Sequence, residues 1–255
     1  MEYDRDFFTG EWPTLRTALE AGGPQAMVAT ILDHEPDAAR AALFRYARHG
    51  LVLAEWEGKS LDAYMAVADA AVAWLGGRAE SAAPADRSEY LAVLAEVTFN
   101  YAADLADCWP GDDEPRTERH FSRGMEVAEQ SVGLRAELDK PDLSHHLGWW
   151  AFGYHQLRLG HTDAAVDCME RSLLHARRAA RAAGEHDGVT SRASFPVLIS
   201  AGYVGLARIA DGEPSGPDLY AEALASFQTQ LVESGRREEA EFGISQLQRV
   251  RSFLP

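Results

Sequence analysis

Apolar residues recur along this chain at three- and four-residue intervals, and no alternating run suited to a strand extends beyond a few positions. The pattern is clearest between Ser144 and Ala183. Trp149, Phe152, Gly153 and Leu159 fall on one side of a first predicted helix, and Ala165, Met169 and Ser172 continue a packing face on a second. Arg158-Leu159-Gly160-His161 joins them. Gly160 suits a helix end because it takes a left-handed backbone conformation without penalty. Asp163 sits where a carboxylate complements the exposed N–H groups of a starting helix. Gly153 lets a neighbouring helix approach closely, at about 1 kcal/mol in helix propensity.

The rest of the chain reads as variations on this hairpin. Residues 1–35 hold two short apolar segments broken at Ala21-Gly22-Gly23-Pro24, and they are read as an N-terminal helical cap on a helical-repeat domain spanning 36–255. Helices are expected over 33–56 and 61–75, with a turn at 57–60, an end at Gly76-Gly77, and Ala63, Val67 and Ala70 facing inward. A polar loop over 79–86 precedes helices at 88–109 and 116–138, which are separated by the proline-flanked break 110–115. After the central hairpin come a turn at 184–188, a helix over 189–210 with Pro196 in its first turns, a break at 211–217, and a last pair over 218–233 and 237–253. The expected fold is all-α, built of stacked antiparallel helix hairpins, with about ten or eleven helices.

The central hairpin resembles a tetratricopeptide repeat, whose pattern is W-x2-L-G-x2-Y, then A-x3-F, then P. Trp149-x2-Phe152-Gly153 matches the opening, the run from Arg158 to Ala165 matches the turn and its small alanine, and Met169 takes the aromatic position. Gln156 replaces the usual Tyr and Arg177 the closing Pro, so the second helix is expected to run on through Arg181. A Gly-x4-Ala spacing recurs at Gly58/Ala63, Gly160/Ala165 and Gly235/Ala240, though not at the family's roughly 34-residue period. The resemblance implies a tetratricopeptide-like α-solenoid that binds a peptide or protein segment along the leading helices of its hairpins.

On those helices, residues four apart share a face. His146, Trp150, Tyr154 and Arg158 form one such stripe, an aromatic ladder ending in a cation that can grip a peptide backbone or a carboxylate; the same spacing also suits core packing. Glu96, Asn100 and Asp104 form a polar stripe that needs partners, either Arg158 or a basic ligand. Arg45 and His49 take the equivalent place in the first pair, and Tyr203 in the fourth. These ten residues are the expected ligand-binding groove. A chaperone-type carboxylate clamp is set aside, because it needs paired Asn and Lys and this chain has one Asn, Asn100, and only Lys59 and Lys140.

Charge narrows the partners. The net charge is −16, with 26 acids against 13 bases in residues 1–140 and 14 against 11 in 141–255. Such a surface repels phosphate backbones, so nucleic acid is not an expected partner, while a basic protein or peptide is. Cys108 and Cys168 stand alone, as buried thiols do in a reducing compartment, and with no apolar leader and no membrane-length apolar run the expected location is cytoplasmic. His145 and His146 point about 100° apart on a helix, and no HExxH or repeated ExxH occurs. Neither a metal nor a cofactor is expected, and no phosphate or dinucleotide loop is present. Two functions follow: a non-catalytic module holding a peptide or protein segment, and, as the alternative, an all-α enzyme or small-molecule binder whose polar pocket uses Glu96, Asn100 and Asp104 with His146 or Tyr154. Oligomeric state is not encoded in any pattern found.

Overall fold

The computed structural model describes residues 3–233 and 235–254, so the Ser234 end of the last expected turn lies outside the described residues. Among the described residues there are ten α-helices, one π-helical turn and no strand. The chain forms two compact units that divide between Asp104 and Leu105.

The first unit begins with α1 (Arg5–Asp33), which opens on the Asp4 carboxylate accepting from the Asp6 and Phe7 N–H groups at 3.0 and 3.1 Å. α1 breaks where the sequence predicts, at Gly23, whose φ of 73° lies outside the helical region just before Pro24. α2 (Asp37–Arg48) passes into a π-helical turn (His49–Leu53), and α3 (Leu61–Ser81) starts at the Ser60 cap. α1 packs on both α2 and α3, with Trp12 edge-on to Trp56 at 5.8 Å. The expected cap is therefore part of one core with the first hairpin, and the compact boundary lies at 104/105 where the sequence placed it at 35/36.

α3 does not stop at Gly76-Gly77. It runs to Ser81 because Leu75 and Ala79 are buried and Arg78 pairs with Asp37, and these contacts outweigh the propensity cost of two glycines, about 1 kcal/mol each. Its buried face is Tyr64, Val67, Ala68, Ala71 and Leu75, so Val67 points inward as expected while Ala63 and Ala70 are only half-buried. α4 (Pro84–Leu105) follows after two residues, and Tyr101 crosses back to donate to the Met65 carbonyl at 3.2 Å and to Asp69 at 3.0 Å.

The second unit holds α5 (Glu118–Glu137), α6 (Asp142–Arg158), α7 (Thr162–Ala182), α8 (Phe195–Asp211), α9 (Gly216–Gln230) and α10 (Arg237–Ser252), each of α5 to α9 packing on the next and α10 on both α8 and α9. α6 and α7 are antiparallel: Gly153 touches Cys168 and Met169 near the turn, His146 meets Ser172, and Asp142 meets His175 at the far end. Gly160 takes φ 80°, and the N–H groups of Gly160 and His161 return to the carbonyls of Leu157 and Gln156, closing the helix end. Ala165 and Ala240, the alanines of two Gly-x4-Ala turns, are fully buried. α7 runs through Arg181, as the missing proline implies. α8 starts at Phe195, six residues later than expected, because the carbonyls of Ser191 and Ala193 are taken by Gln230 at 2.9 Å each and by Arg236.

A side chain at Gly153 would place its Cβ 2.9 Å from that of Cys168, whereas Gly77 has open space around it. Gly153→Val is expected to lower unfolding stability by about 1–3 kcal/mol, and Gly77→Ala to raise it by up to about 1 kcal/mol, as read from urea denaturation.

Candidate functional site

The ten residues expected to line a groove divide between the two units, and most are already engaged. In the first unit, Arg45 pairs with Glu96 at 2.6 Å, and that bond holds the Arg45 guanidinium above its ordinary pKa. Arg48 makes two hydrogen bonds to Asp104, whose Oδ2 also accepts from Tyr64 at 2.9 Å. Asp104 is 5% exposed, and a buried carboxylate must be matched in this way to remain charged. Burial pushes the Tyr64 hydroxyl well above its usual pKa, and the Asp104 charge adds to the effect. Asn100 lines a recess of about 10 Å³ with Phe44, Arg45 and Val97, space for a single water. His49 lies in the π-helical turn, its pKa lowered by burial and by the charges of Arg5 and Arg48. The polar stripe of α4 thus fastens α4 to α2 and α3, and the partner expected from Arg158 is supplied by Arg45 and Arg48.

In the second unit the aromatic stripe is core, which corrects its placement on an open groove. Tyr154 and Tyr203 are fully buried, Trp150 is 6% exposed and His146 4%. Trp150 packs edge-on to Trp109 at 5.6 Å and to Tyr203 at 5.9 Å, while Tyr154 meets Tyr203 at 6.1 Å. Tyr154 donates to Asp107, and Arg158 approaches the same carboxylate at 3.1 Å while lying over the rings of Phe121 and Phe253 at 4.9 and 4.5 Å. His146 Nδ1 lies 2.9 Å from the Ser172 hydroxyl and 3.0 Å from that of Ser200. Burial lowers the His146 pKa to about 4, so the ring is neutral. The pair of serines on a histidine is not solvent-accessible, and both contact the same ring nitrogen.

Residues that the sequence reading passed over hold this core together. Residues 106–109, expected as a helix end, belong with the 110–115 break to a connector over 106–117, in which Cys108 is fully buried, as expected, and accepts from Gln246 at 3.2 Å. Arg249 donates to the carbonyls of Asp107, at 2.6 Å, and Asp112. Asp112 takes a two-pronged bond from Arg116 at 2.6 and 2.8 Å; the i,i+4 spacing of those two residues was the one local signal available. Burial raises the thiol of Cys108 to about 12 and that of Cys168 to about 11, which keeps both protonated and unreactive.

An open feature of the second unit lies elsewhere. A cleft of about 480 Å³ is bounded by Leu143 at the start of α6, by Ala176, Ala179, Ala180 and Ala183 along α7, and by Ser194, Phe195 and Pro196 at the start of α8. Gln230 ends α9 on one side, and Arg236 and Glu239 close it from the turn into α10, with Glu185 on the connector after α7. The alanines recur at i, i+3, i+4 and i+7, one face of a helix, and the absence of large side chains there leaves the space. The intervening arginines, Arg177, Arg178 and Arg181, take the other faces. None of the ten expected residues borders this cleft. Exposed apolar groups continue from it: Leu143 is 47% exposed, Leu147 one turn on is 36%, and Phe242, which touches both Phe195 and Trp109, is 39%.

Among the described residues no group of His, Cys, Asp and Glu is arranged to hold a metal ion, and no helix is long and apolar enough to cross a membrane. Comparison with protein-family models, with curated proteins and with solved structures returns no match.

Two outcomes test the closed core. Neither Cys108 nor Cys168 is expected to react with an aromatic disulfide reagent at pH 8 until the chain is unfolded; rapid labelling of native protein would show that the core opens. A histidine whose folded pKa is depressed loses stability as pH falls, because the unfolded chain binds the proton first. Unfolding free energy is therefore expected to be fully retained above pH 6.5 and to drop by up to about 3 kcal/mol towards pH 4 on account of His146, a loss that His146→Gln removes in parallel pH-dependent denaturation curves.

Proposed function

We propose that this protein is a non-catalytic binding module that holds a segment of a peptide or protein partner in the cleft bounded by α7 and the starts of α8 and α10. The observation that carries the reading is the cleft itself: an alanine-lined floor with exposed apolar groups beside it, open to solvent at Leu143, Ala183 and Glu239. Its volume falls within the range of about 300–1,000 Å³ common to ligand sites. Its lining favours a segment laid across it over an enclosed small molecule, since the rim residues are exposed and cannot exclude water from a reaction. The polar residues first expected to do chemistry, Glu96, Asp104, His146 and Tyr154, are committed to ion pairs and buried hydrogen bonds. The likeness of the α6–α7 hairpin to a tetratricopeptide repeat supports the same reading, with the ligand moved from the aromatic stripe to the far side of α7.

The test is to pan a display library of random peptides on the intact chain and to measure the selected peptides by fluorescence anisotropy. Ala183, exposed at the end of α7, is a site where Trp fills the cleft without entering the core. Ala183→Trp is expected to weaken the selected peptides by about tenfold or more, a loss of at least about 1.4 kcal/mol, with helicity unchanged by circular dichroism. Selected peptides that bind the Trp variant as tightly as the original chain place the site outside the cleft.

A further inference from the structure

Resting on the cleft as the binding site, we infer that the segment it takes is cationic: an apolar side chain on the alanine floor beside a lysine or arginine that is received by Glu185, Glu239 and the Gln230 amide oxygen. Three observations point the same way. Glu185 borders the cleft from the connector after α7 and Glu239 from the first turn of α10, both are exposed, and among the described residues neither carboxylate has a hydrogen-bond or ion-pair partner. Most other carboxylates placed near a cleft or core here are matched, as Asp104, Asp107 and Asp112 are.

Gln230 adds an acceptor. It is 2% exposed and borders the cleft, and its amide nitrogen gives both hydrogens to the Ser191 and Ala193 carbonyls at 2.9 Å each. Those two carbonyls fix which end of the amide is nitrogen, so the oxygen is left as an acceptor with no partner among the described residues. A ligand N–H can bond to that oxygen in place of water.

Among the described residues lining the cleft Arg236 is the one cation, and it offsets only part of this field. Its Nη1 donates to the same Ser191 and Ala193 carbonyls at 3.1 and 3.2 Å, and its Nε lies 3.6 Å from Glu233, which draws the guanidinium towards the connector and α9 end. Two carboxylates against one cation leave the cleft lining net acidic, in a chain of net charge −16. An ammonium or guanidinium on a peptide satisfies them, and the same field rejects a peptide bearing an acid at that place.

The peptides selected by panning test this directly. Enrichment of Lys or Arg beside an apolar residue is expected. Replacing that cation by Gln is expected to weaken binding to the original chain by about tenfold, the scale of a charged hydrogen bond. In Glu185→Gln/Glu239→Gln the Lys and Gln peptides are expected to bind alike. In Glu222→Gln/Glu241→Gln, which removes the same charge from exposed glutamates that do not border the cleft, the tenfold difference is expected to persist. Peptides that Ala183→Trp weakens but that carry no cation, or that the two cleft glutamates do not affect, overturn the cationic reading and leave the cleft standing. An equal loss in both double-glutamine variants also overturns it, since it assigns the preference to net charge alone. Peptides insensitive to Ala183→Trp, or a panning that yields no binder above the Trp variant's background, overturn the cleft and this inference together. Displacement of the peptide by spermidine at the peptide's own concentration shows that a free amine suffices, and it overturns the peptide as the occupant.

Discussion

Two buried carboxylates three residues apart, Asp104 and Asp107, determine how the chain is held. Each is matched by an arginine and a tyrosine hydroxyl, and each match lies within a different unit: Arg48 and Tyr64 for Asp104, Arg158 and Tyr154 for Asp107. A carboxylate at 5–8% exposure without such partners would cost several kcal/mol or take up a proton, so the pairs constrain which helices can approach. Surface pairs such as Arg16–Glu20 contribute under about 1 kcal/mol. The end of α4 therefore carries the anchor of the first unit, and the connector just beyond it carries the anchor of the second. The change of unit between Asp104 and Leu105 has this polar logic behind it.

Much of the fold was legible because it is local. Period, glycine position and proline breaks placed the α6–α7 hairpin, the break at Gly23, the 110–115 interruption and α10 within a few residues of where they lie. Failures came where distant contacts override local preference. α3 runs through Gly76-Gly77 because Leu75, Arg78 and Ala79 are held from outside the helix. α8 starts late because its leading residues bond to Gln230 and Arg236, some forty positions on. Arg249 reaches the connector across more than a hundred residues, and no spacing rule reveals such a pair.

The candidate residues were chosen for a real property, the need of polar and aromatic groups on an apolar helix for partners. That need does not say whether a ligand or the protein itself meets it. For Glu96, Asp104, Tyr154 and Arg158 the protein meets it, through Arg45, Arg48, Asp107 and two phenyl rings. The one sequence trace of the cleft was a lack of bulk: alanines at 176, 179, 180 and 183 in a stretch otherwise noticed for its arginines. Small residues leave no chemical signature, so a search for reactive or aromatic groups passes over them.

The closed core and the proposed binding cleft thus use different parts of the same hairpin. Near its turn, α6 and α7 close on each other where Gly153 meets Cys168 and Met169, while the rings of Trp150 and Tyr154 pack on Trp109 and Tyr203. Towards the other end the alanine face of α7 meets the start of α8 across a gap instead of a side chain. Bulkier residues at Ala176 or Ala180 would fill that gap and bury more apolar area, at about 25 cal/mol per Å². A helix that forgoes this burial, with Glu185 and Glu239 exposed beside it, leaves shape and acidic charge together at one place, which is the basis of the proposed apolar and cationic occupant.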